Sequence, residues 1–243
     1  MTTPIADRYD DEWLNLRPGQ RVLDLGCGPA TDTLALGRRV GPAGLVSGVD
    51  YDLSVVEQAR ERARAAGLDG WVSHHHANAT ALPWPDGYFD AARSAGMFQY
   101  LIEPELALDE MLRVTRPGGH VLVEDTDWAS LSIDSDDTDI ERALVGHFAT
   151  YLRAGAYTAR RLPRWFAARG LLAVHVQAQA LVMANLAEAQ HRLQLDSLER
   201  EALAAGVLSP EQARRWQAGL QYGAACGSFF ASANVLAVCG CRP

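Results

Sequence analysis

Two short stretches of the chain carry residues that suit the binding of a nucleoside. Gly26, Cys27 and Gly28 follow an apolar run, and glycines there let the backbone turn tightly and approach a ligand closely. Asp50 ends a second apolar run about twenty residues further on, where a carboxylate can accept hydrogen bonds from both hydroxyls of a ribose. The pair predicts a site for a nucleoside cofactor. It does not by itself separate a dinucleotide from another adenosine derivative.

A run of three histidines, His74, His75 and His76, is a second feature with chemical potential. Imidazoles that converge on one point can bind a metal ion. Consecutive side chains of a strand point to opposite faces, so the middle ring would point away from its neighbours. We therefore expect no metal here, and we interpret the run as a strand that leads into Asn78 and Ala79.

Alternating strand and helix patterns must position these residues. The predicted strands of the first half are 21–26, 45–50, 71–76, 88–96 and 120–125. Helix patterns cover about 30–40, 54–66 and 104–115, and Ser54 with Glu57 forms a capping-box pattern at the start of the second helix. Such alternation over short connections predicts βαβ units and a parallel sheet with helices on both faces.

The second half has a different pattern. Helices are predicted over about 139–155 and 159–169, a strand over 171–183, helical structure over 185–222 and a last strand over 229–240. Two late strands around a helical insertion suggest an antiparallel pair added to the parallel sheet. We expect the insertion 185–227 to form a lid or a homodimer contact.

Composition narrows the class of partner. The chain has 243 residues, enough for one large domain, and a net charge of −8. Nucleic acid and an anionic membrane surface are disfavoured, because both are bound through clustered lysine and arginine. Four cysteines are too few for a disulfide framework, and the first residues lack the basic start and apolar core of a secretory signal. We expect a cytoplasmic protein that acts on a small molecule.

Longer stretches of the first half form an ordered set of motifs. They are VLDLGCGPA, VSGVDYDLSVVEQAR, ANATALPWPDGYFDAARSAGMFQYL and EMLRVTRPGGHVLVEDTDW, over about residues 20–128. Together they resemble the S-adenosylmethionine-dependent methyltransferases of the seven-stranded α/β class, and most closely the small-molecule branch related to quinone-biosynthesis methyltransferases. The resemblance implies a Rossmann-like, mostly parallel seven-stranded sheet. It also implies helices on both faces, an antiparallel strand at one edge and a helical insertion before the last strand.

The resemblance implies one methyltransferase domain over residues 1–243. Within it, we expect an N-terminal helix in 1–19 and the cofactor-binding core in 20–128. Residues 129–228 would supply the substrate-side helices, the sixth strand and the lid insertion, and 229–243 the last strand.

Cofactor contacts follow from the resemblance, position by position. The glycine turn would pass the methionine part and the ribose, Asp24 would receive the amino group through water, and Asp50 would hold the ribose diol. Tyr51 would lie on the adenine, and Ser94 beside the methionine carboxylate. The set expected to bind S-adenosylmethionine is Tyr9, Asp24, Gly26, Cys27, Gly28, Asp50, Tyr51, Asn78, Ala79, Ser94 and Gln99.

Two positions depart from the family's pattern. Ala30 stands where a third glycine is common, and we expect its methyl group to be tolerated at the start of the helix. Asn78 replaces the usual aspartate, but its side-chain oxygen can still accept from the adenine amino group with less charge assistance. We expect S-adenosylmethionine binding to be retained, with at most a loss of affinity.

Methyl transfer requires little from the protein beyond alignment of the nucleophile with the methyl group. In-line displacement at a sulfonium methyl gains much of its rate from holding the nucleophile and the methyl group in line, and a base is needed only if the nucleophile must lose a proton. His147 and Asp127 are the candidate catalytic residues, although a lone histidine on a helix is more often structural or solvated. Candidate substrate contacts are Tyr100, Trp128 and Tyr151, with plain packing an open alternative for Trp128.

Two other functions would use part of the same pattern. A protein that binds S-adenosylmethionine without methyl transfer, whether structural, regulatory or catalysing another reaction in the same pocket, needs the same cofactor motifs. A dinucleotide oxidoreductase needs room for a second nucleotide, and the turn 116–119 and the two late strands argue against it.

Overall fold

The computed structural model describes residues 13–152 and 155–243, without the side chains of residues 151 and 152. In this part of the chain the strands are β1 (Arg21–Leu25), β2 (Leu45–Asp50), β3 (Val72–His76), β4 (Phe89–Ala95), β5 (Thr115–Ile133), β6 (Leu172–Met183) and β7 (Ala231–Cys241). The helices are α1 (Thr31–Val40), α2 (Leu53–Ala65), α3 (Pro104–Val114), α4 (Thr138–His147), α5 (Thr158–Ala168), α6 (Leu186–Leu193), α7 (Leu195–Ala204) and α8 (Pro210–Ala225). The N-terminal helix predicted from the sequence, with Tyr9, lies outside the described residues.

The strands form one seven-stranded sheet in the order β3-β2-β1-β4-β5-β7-β6. β1 pairs in parallel with β2 and β4, β2 with β3, and β4 with β5. β7 runs antiparallel to β5, because the amide of Gly118 donates to the carbonyl of Arg242 and the amide of Asp134 donates to that of Phe230. The fold class predicted from the sequence is confirmed.

The central strands are buried because their apolar runs are covered on both faces. Val22, Leu23 and Leu25 of β1 are almost fully shielded from solvent, as expected of a strand inside a parallel sheet. Since β1, β2 and β4 run in the same direction, their carboxyl ends meet at one edge of the sheet. This edge therefore brings together the loops that follow residues 25, 50 and 95.

The chain divides into two compact units. Of the described residues, the first contains those up to Asp125, Arg160–Gln177 and Ala237–Pro243, and the second contains those of Thr126–Ala159 and Ala178–Leu236. Each unit has its own apolar core; Phe89 and Phe98 are buried in the first, and Phe148 and Trp216 in the second. The division into core and lid expected from the sequence stays a prediction.

The cap of α2 differs from the sequence-based prediction. The N-cap residue is Asp52, whose side chain accepts from the amides of Ser54 and Val55 and from the hydroxyl of Ser54. A capping box of Ser54 and Glu57 is therefore wrong. An aspartate just before the helix supplies a charged acceptor and takes the capping position that Ser54 would have held.

Element boundaries in the second half also differ. α4 ends at His147 and continues as a π-helical segment, Phe148–Leu152, where the sequence predicts one helix to residue 155. The predicted turn 116–119 lies within β5, between the partners Phe89↔Thr115 and Ala91↔His120, as a bulge against β4. This bulge pairs with the end of the chain, because the amide of Arg242 donates to the carbonyl of Gly119.

Candidate functional site

A cavity of about 420 Å³ lies at the carboxyl ends of the first four strands, within the first unit. Its volume falls in the range of ligand pockets, roughly 300–1,000 Å³, and ligands of open α/β sheets bind at this edge. The lining residues are Leu25, Gly26, Val49, Asp50, Tyr51, Ala77, Asn78, Ala79, Ala95, Gly96, Met97, Tyr100 and Leu101. The sequence singled out six of them, namely Gly26, Asp50, Tyr51, Asn78, Ala79 and Tyr100.

Hydrogen bonds to β2 shape the glycine loop that follows β1. The amides of Gly26 and Cys27 donate to the carbonyl of Val49 at 2.8 and 2.9 Å. Gly26 has a φ of +78°, and a Cβ at this position would lie 2.6 Å from the Cβ of Met97. Gly28 has a φ of +52°, and a Cβ there would meet no atom of the described residues within 4 Å. The loop therefore needs glycine for its conformation at both positions, and it leaves open space beside Gly28.

Asp50 connects this loop to the end of β2. Its Oδ2 accepts from the amide of Gly28 at 3.0 Å, and its Oδ1 accepts from the amide of Asp52 at 3.1 Å. Each carboxylate oxygen has a further lone pair, so both can also accept from ribose hydroxyls. The partly exposed carboxylate lines the cavity, and its two acceptor oxygens fit the two hydroxyl donors of a ribose diol.

Tyr51 and Asn78 line the same cavity as Asp50. The side chain of Tyr51 is 77% exposed and lines the cavity. The Oδ1 of Asn78 accepts from both the amide and the hydroxyl of Thr80, each at 3.0 Å. Because these donors engage both lone pairs of Oδ1, the geometry favours the amide NH₂ of Asn78 as the group that faces a purine. This contrasts with the acceptor role expected from the sequence.

Three further residues expected at the site are buried and are not part of this lining. Asp24 is 2% exposed, and its Oδ1 lies 3.8 Å from the Nε of Arg93. Burial and the neighbouring carboxylates raise the pKa of the Cys27 thiol far above its usual range, so the thiol stays protonated and unreactive. Ser94 is fully buried within β4. Contacts of Asp24 and Ser94 with a cofactor stay predictions.

Gln99 supports the loop that follows β4. Its backbone amide donates to the Oδ2 of Asp125 at 2.8 Å, and its side-chain Nε2 donates to the carbonyl of Gly96 at 3.0 Å. These bonds hold the loop that places Met97 and Tyr100 on the cavity. Gln99 itself is buried outside the lining, so its direct contact with a cofactor also stays a prediction.

Sequence reasoning missed the apolar part of the lining. Met97 and Leu101 follow β4, and Ala77 follows β3. The signal that could have found them is topological, since the residues just after each parallel strand share one edge of the sheet.

The rings of the three histidines point to separate protein partners. The Nε2 atoms lie 3.0 Å from the hydroxyl of Thr33 for His74, 2.9 Å from the hydroxyl of Ser73 for His75, and 2.9 Å from the carbonyl of Tyr51 for His76. Burial lowers the pKa of His74 to about 4, so this ring is neutral at pH 7. Within the described residues, no group of three or more His, Cys, Asp or Glu is placed to hold a metal ion.

The candidate catalytic and substrate residues beyond Tyr100 belong to the second unit. Asp127, Trp128 and His147 are buried there, and the ring of Trp128 meets that of Phe148 edge-on at 5.9 Å between centroids. This contact makes Trp128 part of an apolar core. The side chain of Tyr151 lies outside the described residues. The functional roles of all four stay predictions.

A glycine loop after β1, an acid at the end of β2 and a cavity at the same edge define an α/β protein that binds a nucleoside cofactor. A family model described as a methyltransferase domain matches residues 16–170. The chain is also 34% identical over 240 residues to an uncharacterized 37.1 kDa protein in transposon TN4556 of Streptomyces fradiae. That match covers 98% of this chain and 68% of the relative.

Two further comparisons concern a related enzyme and the fold. The ubiquinone/menaquinone biosynthesis C-methyltransferase of Yersinia enterocolitica is 41% identical over 119 residues, which cover 49% of this chain and 47% of the relative. This match therefore spans only about half the length of that enzyme. The crystal structure of the YcgJ protein of Bacillus subtilis superimposes with a TM-score of 0.65 at 19% identity, over 94% of each chain.

The chain therefore belongs to the methyltransferase-domain family. The enzyme class and S-adenosylmethionine as its methyl donor, both predicted from the sequence, are confirmed at the level of the family. In the described part of the chain, no helix combines the length and the apolar character needed to cross a membrane.

Proposed function

We propose that this methyltransferase moves the methyl group of S-adenosylmethionine to a nucleophilic atom of a small molecule by in-line displacement, leaving S-adenosylhomocysteine. The observation that carries the proposal is the cavity in which the Asp50 carboxylate is bonded to the glycine loop. A small acceptor is favoured over nucleic acid, because the net charge of −8 opposes the binding of a polyanion.

The residues of the cavity divide the work of binding. Asp50 would accept from the ribose diol while it keeps its bonds to the amides of Gly28 and Asp52. The exposed ring of Tyr51 would cover one face of the adenine. Gly26 and Gly28 would allow the loop to pass close to the bound molecule. Asp24, beneath this loop, is the candidate partner of the amino group through water.

The rest of the cavity would shape the methyl-transfer end. When bound, S-adenosylmethionine supplies a sulfonium methyl group that a nucleophile displaces in line. Met97 and Leu101 give this part of the cavity an apolar wall that would exclude water. Tyr100 is 67% exposed and lines the same cavity, and it is the candidate contact for the molecule that accepts the methyl group. His147 and Asp127 remain candidates for a base, and Trp128 and Tyr151 for substrate contacts.

Incubation with methyl-labelled S-adenosylmethionine and a panel of phenols, amines and enols tests the proposal. We expect label to move to one chemical class of acceptor, with release of one S-adenosylhomocysteine for each methyl group transferred. The Asp50→Ala variant is the matched control and should transfer no label. Tight binding of S-adenosylmethionine without transfer to any acceptor would instead favour a binding protein, or an enzyme that uses the same pocket for another reaction.

Asn78→Asp should bind S-adenosylmethionine more tightly than the native protein. The native NH₂ of Asn78 cannot accept from the adenine amino group. In the variant, one oxygen of the carboxylate can keep the bonds to Thr80, and the other takes the place of this NH₂ and can accept from the adenine amino group with charge assistance. We expect the dissociation constant, measured by calorimetry, to fall roughly 3- to 10-fold, about 1 kcal/mol. An unchanged or higher constant would show that Asn78 does not face the adenine amino group.

Two further expectations, on the location of the protein and on the role of its insertion, belong to the same proposal. We infer a cytoplasmic location, which four cysteines without a disulfide between them support. We also infer that the insertion 185–227 forms a lid or a homodimer contact, which analytical ultracentrifugation can test for the dimer.

A further inference from the structure

We propose that His76 is a positioning residue for the cofactor, because it holds the backbone of Tyr51 and so sets the place of the Tyr51 ring. The inference rests on the proposed function, since it assumes that adenosine occupies the end of the cavity at Asp50 and Tyr51. It also gives His76, one member of the histidine run, a role other than metal binding.

The first support is the hydrogen bond between the ring of His76 and the backbone of Tyr51. The Nε2 of His76 lies 2.9 Å from the Tyr51 carbonyl oxygen. A carbonyl oxygen only accepts, so Nε2 carries a proton and donates. The two rings also lie 5.9 Å apart between centroids at an angle of 47°. His76 therefore contacts both the backbone and the ring of the residue proposed to cover the adenine.

The second support is the way in which Asp50 and Tyr51 are attached to β3. Asp50 is opposite His76 in the parallel register, and the amide of Ala77 donates to the Asp50 carbonyl at 3.2 Å. The peptide that carries Asp50 and the one that carries Tyr51 are thus each bonded to the end of β3. The bond to Asp50 comes from the backbone amide of Ala77 and survives substitution of His76, whereas the bond to Tyr51 depends on the imidazole.

The third support is the exposure of these groups. Tyr51 is 77% exposed, and His76 is exposed as well, so apolar packing does little to fix either side chain. In such a setting one hydrogen bond has a large share in deciding where the ring lies. Because Tyr51 is already ordered before the cofactor arrives, binding costs less conformational entropy.

The neighbouring histidine offers a matched control. His75 is half-buried, lies next to the hydroxyl of Ser73, and meets the ring of Trp84 edge-on at 5.1 Å between centroids. Its ring is absent from the cavity lining. Substitution of His75 therefore removes an imidazole from the same strand without touching Tyr51.

Calorimetric titration of S-adenosylhomocysteine and of adenosine into the His76→Ala, His76→Gln and His75→Ala variants tests the inference. We expect His76→Ala to weaken both ligands by the same factor, roughly 5- to 10-fold, because both carry the adenine and the ribose. His76→Gln should recover most of the loss, since its amide can donate to the Tyr51 carbonyl. The Tm of each variant should stay close to that of the native protein, and His75→Ala should bind both ligands normally.

The possible failures are distinguishable. Normal binding by the native protein, with affinities of His76→Ala equal to those of His75→Ala, would overturn the role of His76 and leave the proposed function intact. A loss in His76→Ala that glutamine does not restore would also overturn it. Failure of the native protein to bind S-adenosylhomocysteine at all would contradict the proposed function, and the role of His76 with it.

Discussion

Asp50→Ala abolishes S-adenosylmethionine binding in our account, with an expected loss of at least about 100-fold in affinity measured by calorimetry. Each hydrogen bond from a ribose hydroxyl to a carboxylate contributes roughly 1.5–3 kcal/mol, so two of them amount to about 3–6 kcal/mol. The substitution also removes the acceptor that binds the amide of Gly28, so the glycine loop loses its anchor at the end of β2.

The matched control for this variant is Asp52→Ala. Asp52 is two residues from Asp50, and its substitution removes the same charge. Asp52 caps α2 and does not line the cavity. Loss of such a cap lowers the stability of the start of α2. We expect its affinity for S-adenosylmethionine to stay within about threefold of the native value, under 1 kcal/mol. Unchanged affinity in Asp50→Ala would remove the ribose assignment.

Arg93→Met is the second substitution with a large expected effect, in this case on stability. Arg93 is 1% exposed; its Nη2 lies 2.9 Å from Asp32, and its Nε lies 3.8 Å from Asp24. Methionine is of similar length but leaves the carboxylate of Asp24 buried without this cation. Breaking a buried ion pair in this way costs about 3–5 kcal/mol. We expect Tm to fall by on the order of 10 °C in a thermal melt.

Two controls separate this buried charge from a general loss of arginine. Arg116 pairs with Asp90 at 2.8 Å with both side chains partly exposed, so Arg116→Met should cost under about 1 kcal/mol. Adding Asp24→Asn to Arg93→Met should restore part of the stability, because it removes a buried charge that has lost the Arg93 cation. Equal losses in Arg93→Met and Arg116→Met would show that Arg93 does not balance a buried carboxylate.

Much of the fold and half of the candidate site follow from local sequence. Gly26 and Asp50 can be assigned because each sits at the end of an apolar run, and parallel strands bring such ends to one edge. The motif order then places Tyr51, Asn78 and Ala79 beside them. An antiparallel pair added to the parallel sheet can also be expected, because two late strands flank the helical insertion.

The rest depends on contacts that no local pattern records. Met97 reaches the cavity because Gly26, more than seventy positions earlier, has no side chain in its way. Thr80 takes both lone pairs of Asn78 and so changes the hydrogen bond that Asn78 can offer. The ring of His76 can bond to the carbonyl of Tyr51 only because β2 and β3 pair in one particular register. Sequence spacing alone contains none of this information.

A crystal structure of the protein with S-adenosylhomocysteine is the most direct test of the central claim, that the cavity at Asp50 is the cofactor site. We predict both ribose hydroxyls within about 3 Å of the Asp50 carboxylate oxygens, and the adenine against the ring of Tyr51. Electron density for the ligand at another place, with Asp50 bonded only to the amides of Gly28 and Asp52, would contradict the account.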